Sequence, residues 1–100
     1  MKNKRVKKIS ELLRVLGGNV RFEIILYLAS GEKCVCNIFE YLKLPQNLVS
    51  HHLGILRKNG IITARKDGKW VHYSIRAETL EELKEFLEIV LSHRKGKSKC

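Results

Sequence analysis

One hundred residues, 44% hydrophobic and 30% charged, with a formal net charge of +10, suit one folded domain and exclude general disorder. No apolar run approaches the roughly 20 residues that span a bilayer, and the basic start leads into a charged amphipathic segment, not a signal-peptide core. The expectation is a single soluble, cytoplasmic domain over residues 1–100 whose positive charge seeks a polyanion, nucleic acid being the obvious one.

In chain order, residues 1–8 carry Lys2, Lys4, Arg5, Lys7 and Lys8 and read as a flexible basic arm, matched by a flexible basic tail over 95–100. Ile9, Leu12, Leu13 and Leu16 mark a first amphipathic helix, which Gly17-Gly18 ends. Asn19 is placed to cap a second helix with Phe22, Ile25 and Leu26 on its core face. A short third helix over 34–42 packs through Ile38, Tyr41 and Leu42, and Lys43-Leu44 is the turn. Pro45, whose fixed φ suits a first helical turn, then opens a helix with Leu48, Val49, Leu53 and Leu56 as its apolar stripe. Gly60 closes it as the C′ residue.

The other face of that fourth helix carries Gln46, Asn47, Ser50, His51 and the basic pair Arg57-Lys58. Amides and hydroxyls near a helix start read base edges, and Arg or Lys further along sit on phosphates. The segment therefore reads as the recognition helix of a helix-turn-helix. A β-hairpin follows, over 61–65 and 70–75, with Asp67-Gly68 as its turn signal. With Arg65, Lys66 and Lys69 along it, the hairpin is a basic wing. Trp70 is expected to anchor the small sheet to the helices; a stacking platform for nucleic acid is the alternative. Thr79 and Glu82 form a capping-box pattern for a last helix, striped by Leu80, Leu83, Phe86, Leu87, Val90 and Leu91. Half of the ten acids lie between Glu78 and Glu88, so this helix should face away from DNA. So short a chain has little left to cover this stripe and that of the first helix. Both are expected to meet their counterparts across a two-fold axis, giving a homodimer on a palindromic duplex. The fold class is thus mainly α with a two-stranded β wing, a winged helix-turn-helix.

Three cysteines make no disulfide framework, and the pair Cys34-Val35-Cys36 points to a reducing compartment and to metal or redox chemistry. An enzyme using these thiols with His51 or His52 as base is disfavoured by size and by the lack of an oxyanion loop. An RNA-binding or architectural protein would share the charge but leave the cysteines unexplained.

Taken together, Cys34-Val35-Cys36-Asn37-Ile38, Val49-Ser50-His51-His52-Leu53, Leu56-Arg57-Lys58-Asn59-Gly60-Ile61-Ile62 and Gly68-Lys69-Trp70-Val71-His72-Tyr73 resemble the ArsR/SmtB family of dimeric metal-sensing repressors. The resemblance implies that Gln46, Asn47, Ser50 and His51 enter the major groove, with His52 nearer the backbone or the core. It also implies an inducer site at Cys34 and Cys36. Some arsenic sensors of the family add a cysteine where this chain has Phe39. The zinc-type site on the last helix is matched only by His93, with Glu82 an imperfect second ligand, and His93 reads better as a cation at a helix C-terminus.

Soft thiolates favour As(III) or Sb(III), with Cd(II) or Pb(II) as alternatives, and none of these is expected to be needed for folding. Cys100, on the tail, is a candidate third ligand, and a thiol redox or persulfide sensor is the runner-up reading. Lys33 and the helix N-terminus should lower the thiol pKa. On a regular helix, residues two apart point about 200° from each other. Ion binding then requires the first turn of the third helix to unwind or never to form, and the deformation is expected to drag the recognition helix packed on it.

Overall fold

The computed structural model describes residues 3–93; Cys100 and the tail expected over 95–100 lie outside the described residues. Among the described residues the elements are α1 (Lys4–Leu16), α2 (Asn19–Leu28), β1 (Lys33–Cys34), α3 (Val35–Leu42), α4 (Gln46–Lys58), β2 (Ile62–Asp67), β3 (Trp70–Ile75) and α5 (Ala77–Ser92).

α1 begins inside the stretch expected to be a flexible arm. Asn3 is extended and its side-chain oxygen accepts from the backbone N–H groups of Arg5, at 2.8 Å, and Val6, at 3.4 Å, which satisfies two otherwise orphaned donors. Two cations of the arm then find partners on α5: Lys8 pairs with Glu82 at 2.8 Å, and the Arg5 guanidinium lies 5.6 Å from the Phe86 ring centre. In α2 the N-cap is Gly18, not Asn19, and no side chain caps it. The core face is Ile24, Ile25 and Leu28, whereas Phe22 and Leu26 are exposed. Apolar residues surround this helix, so periodicity could not choose its buried side.

α3 ends at Lys43, which takes the left-handed conformation at φ 53°. Pro45 is the N-cap of α4, one position earlier than expected; its carbonyl accepts from Leu48 and Val49, each at 3.1 Å. At the far end Gly60, at φ 72°, donates to Arg57, and Ile61 donates to Leu56, both at 3.0 Å. This is the Schellman stop expected of Gly60.

The sheet has three antiparallel strands in the order β1-β3-β2, one more than expected. Lys33 and Cys34 pair with Tyr73 and His72, so Cys34 is the last residue of a strand and not part of a helix. A two-residue strand carries no alternation to read, which is why the sequence hides it. β2 and β3 turn through Gly68-Lys69, with positive φ at Gly68 alone, as in a type II′ turn. Thr79 does not cap α5, because Arg76 does. Arg76 donates its N–H to Ile61 O at 2.9 Å, starting the helix early, and the Thr79 hydroxyl instead donates to Gly60 O. That bond ties the end of α4 to the start of α5.

Ile9 and Leu12 of α1 join Ile24, Leu28, Ile38, Leu53, Leu56 and Leu83 in one core. The α1 stripe is therefore largely consumed within its own chain, contrary to expectation, with Leu13 left outside. On α5 only Leu83 of the apolar stripe is buried; Leu87, Val90 and Leu91 are exposed. Replacing Gly60 by Ala should cost about 1–2 kcal/mol, the penalty of a left-handed L-residue, and Gly60→Asn less. Urea unfolding of the two variants beside the parent measures both.

Candidate DNA-binding face and thiol site

Val49, Leu53 and Leu56 are buried at or below 1% exposure, and α4 packs chiefly on α2 and β2. This seam turns Asn47, Ser50, His51 and Gly54, spaced i, i+3, i+4 and i+7, to the exposed side together with Gln46. The four expected base readers thus share one solvent face. Gly54 was not singled out by the sequence reading. A Cβ built on it meets nothing within 4 Å, so no packing inside the chain requires glycine there. A glycine within an otherwise strong helical pattern was the available signal.

His52 points inward and sits half-buried. Its Nδ1 lies 3.2 Å from Arg21 Nη1, and Arg21 Nε donates to Val15 O at 2.6 Å. Because arginine only donates, this contact holds His52 neutral, with the proton on Nε2. Burial first, then the charge of Arg21 and the neighbouring His51, push the His52 pKa down. Through Arg21 the residue clamps α4 to α2 and to the end of α1.

On the wing, Lys66 and Lys69 are exposed and have no acidic partner among the described residues. Lys66 and Arg57 line one groove of about 340 Å³ with Ala64, Val71 and Tyr73, so the end of α4 and the wing present their cations together. Arg65 is engaged elsewhere: its guanidinium donates to Glu32 at 2.7 and 3.2 Å. Trp70 does not anchor the sheet. It pairs with Asp67 at the hairpin tip, is 46% exposed and has Lys69 Nζ 5.2 Å from its ring centre.

The thiols meet without any unwinding. Cys34 is extended, at φ −68° and ψ 145°, and caps α3 from outside it, while Cys36 lies in the first turn. Their sulfurs are 3.1 Å apart, Cys36 donating to Cys34, and both are free thiols. The expected drag on the recognition helix is corrected on the same ground, since α3 packs chiefly on α2, β1 and β3. The Cys36 thiol pKa is raised, not lowered: the hydrogen bond with Cys34 is the largest cause and burial the next, and both outweigh the helix-start N–H groups of Cys36 and Asn37. Lys33 does not help, because its ammonium turns to Ser30 Oγ at 2.9 Å, Gly31 O at 3.2 Å and the Tyr27 ring. Among the described residues no three His, Cys, Asp or Glu side chains are gathered closely enough to hold an ion. His93 ends α5 as its C-cap, and Glu82 is occupied by Lys8.

A polar recognition helix held by a buried seam and followed by a basic hairpin defines a winged helix-turn-helix, a DNA-binding module. The chain belongs to the ArsR family of transcriptional repressors: residues 18–64 match the family described as bacterial regulatory protein, arsR family. It is 41% identical over 80 residues to an HTH-type transcriptional regulator of Methanocaldococcus jannaschii, covering 79% of this chain and 90% of that protein. It is 33% identical to the arsenical resistance operon repressor of Staphylococcus xylosus, covering 90% of this chain and 86% of that one. The solved structure of HlyU from Vibrio cholerae superposes with a TM-score of 0.75 at 30% identity, over 94% of this chain and 96% of its own. These relatives are regulators, not enzymes, and no helix among the described residues is long and apolar enough to cross a membrane.

The His52 clamp carries a pH dependence. The unfolded chain takes up this proton near pH 6.5 while the folded chain resists it. The stabilisation is therefore complete above that pH and is lost as pH falls toward the lowered folded value. Urea midpoints measured at about pH 7.5 and about pH 5.5 should drop more in the parent than in His52→Gln, which keeps an acceptor for Arg21 but does not titrate.

Proposed function

We propose that two copies of the chain, paired through the exposed apolar side of α5 and Leu13 of α1, hold a palindromic double-stranded operator and release it when a thiophilic ion takes Cys34 and Cys36. As(III) or Sb(III) is the leading inducer, with Cd(II) or Pb(II) as the alternative. The observation that carries this reading is the 3.1 Å approach of two sulfurs at the end of a strand hydrogen-bonded to the wing. One ion can bridge them once the thiol protons leave and the sulfurs part by a few tenths of an ångström.

Two thiolates suit a soft ion, and binding displaces the thiol protons into solvent. The path to DNA runs through β1 into β3 and the wing, and through α2 into α4, in place of an unwound helix. Asn47, Ser50 and His51 read bases, with Gln46 at the helix start. Arg57, Lys66 and Lys69 take phosphates. His52 positions the helix, and Arg65 holds Glu32. The bare Cα at position 54 lets the helix approach the groove wall closely.

The same sulfur contact favours one second reading, a thiol redox sensor in which an oxidant takes two electrons and joins Cys34 to Cys36. The raised Cys36 pKa bears on both readings alike, since the thiolate is at once the nucleophile and the metal ligand.

In a gel shift on a palindromic duplex, arsenite should weaken binding by about 5–150-fold, the usual range of such coupling. A Cys34→Ser/Cys36→Ser variant should bind the duplex as the parent does and ignore arsenite; release of this variant by arsenite defeats the reading. Gly54→Ala should raise stability by about 0.4–1 kcal/mol while weakening operator binding. An alanine variant that is both more stable and equally tight would remove the steric role of Gly54.

A further inference from the structure

Two sulfurs leave a soft divalent ion short of donors, and the β1–β3 register supplies one. Cys34 and His72 are direct partners across the antiparallel pair. Side chains so opposed stand on the same face of the sheet with Cβ atoms about 4.5–5.5 Å apart. Arg65, the partner of His72 on the other side, shares that face, and so does Glu32, whose carboxylate meets Arg65 and Ser74. His72 Nδ1 lies 4.0 Å from Glu32, and its side chain is 23% exposed, open to an ion arriving from solvent.

We propose that His72 is the third ligand of a thiophilic divalent ion, Cd(II) being the type, in a Cys34–Cys36–His72 site. The proposal rests on the reading of the two cysteines as ligands and extends the inducer range to ions for which imidazole is an ordinary donor. Glu32, 4.0 Å from Nδ1 and held by Arg65, is placed to turn to that nitrogen as carboxylates beside metal-binding histidines do, which would leave Nε2 for the ion. Charge balances: two thiolates and a neutral imidazole neutralise a divalent ion, and both thiol protons go to solvent. Without an ion these donors are not gathered into a site. Closing it turns the partly exposed His72 toward the sulfurs and draws the short edge strand β1 toward β3. An ion so held would join the start of α3 to the central strand of the wing.

The test is titration of the full ion-free chain with Cd(II) against a competing chelator, read by sulfur-to-cadmium charge-transfer absorbance. His72→Gln should weaken Cd(II) by at least about tenfold, the loss seen even for outer-shell partners, with the absorbance of two sulfurs retained. His72→Cys should regain affinity and raise the absorbance to that of three sulfurs. Equal affinity in His72→Gln and the parent overturns the proposal, as does a loss confined to Cys100→Ser, which would make the tail thiol the third ligand. Loss of the absorbance in Cys34→Ser/Cys36→Ser is required by the underlying reading. Its persistence there defeats that reading separately, whatever His72 does.

Discussion

The burial of Val49, Leu53 and Leu56 behind α4 is the constraint on which the DNA-binding face depends. Each buried side chain of this size contributes about 1.5–3 kcal/mol, so the three together outweigh any preference of the polar residues on the opposite side. Once the seam is seated, the helix cannot rotate, and Asn47, Ser50, His51 and Gly54 have only one direction to face. Arg21 adds a polar fastening by joining Val15 O and His52 across three helices. The Schellman stop at Gly60 and the Thr79 hydroxyl on its carbonyl then set where the wing leaves and where α5 begins.

Cys34 and the wing belong to one sheet, and the proposed coupling of ion to DNA runs through it. Cys34 ends β1, which pairs with β3, and β3 pairs with β2 through the hairpin that carries Lys66 and Lys69. Glu32 reinforces the same link by holding Arg65 from across the sheet. Under the proposed function, an ion on Cys34 would act on a strand already bonded to the hairpin that carries Lys66 and Lys69. Such coupling needs two arrangements of a packed element, not a long chain of intermediaries, and a short edge strand shifts more easily than a helix.

Among the described residues Arg57, Lys58, Lys66 and Lys69, on the α4 end and the wing, have no acidic partner, nor do Lys4, Lys7, Lys33 and Lys43 elsewhere, whereas Lys8, Arg14, Arg65, Arg76 and Lys84 are paired with carboxylates. The acids of α5 lie on the helix whose far half exposes Leu87, Val90 and Leu91. An apolar, acid-flanked helix suits contact with a second copy better than contact with DNA.

Sequence alone determined the recognition helix, its stripe, its Gly60 stop, the hairpin and the family, because each depends on local chemistry: a 3.6-residue period, a residue free to adopt positive φ, a Gly-containing turn between β-prone runs. It also picked out Cys34 and Cys36, since two thiols so close in a chain with no disulfide framework are conspicuous. Tertiary structure decided what depends on partners distant in sequence. The side of α2 that is buried was ambiguous because apolar residues surround that helix. The early start of α1 depends on α5 as well as on Asn3. Arg65 was diverted by a glutamate 33 residues away. Above all, whether Cys34 is helical or extended depended on β3, whose His72 is its partner far along the chain and whose backbone groups offered a ladder that no local pattern announces.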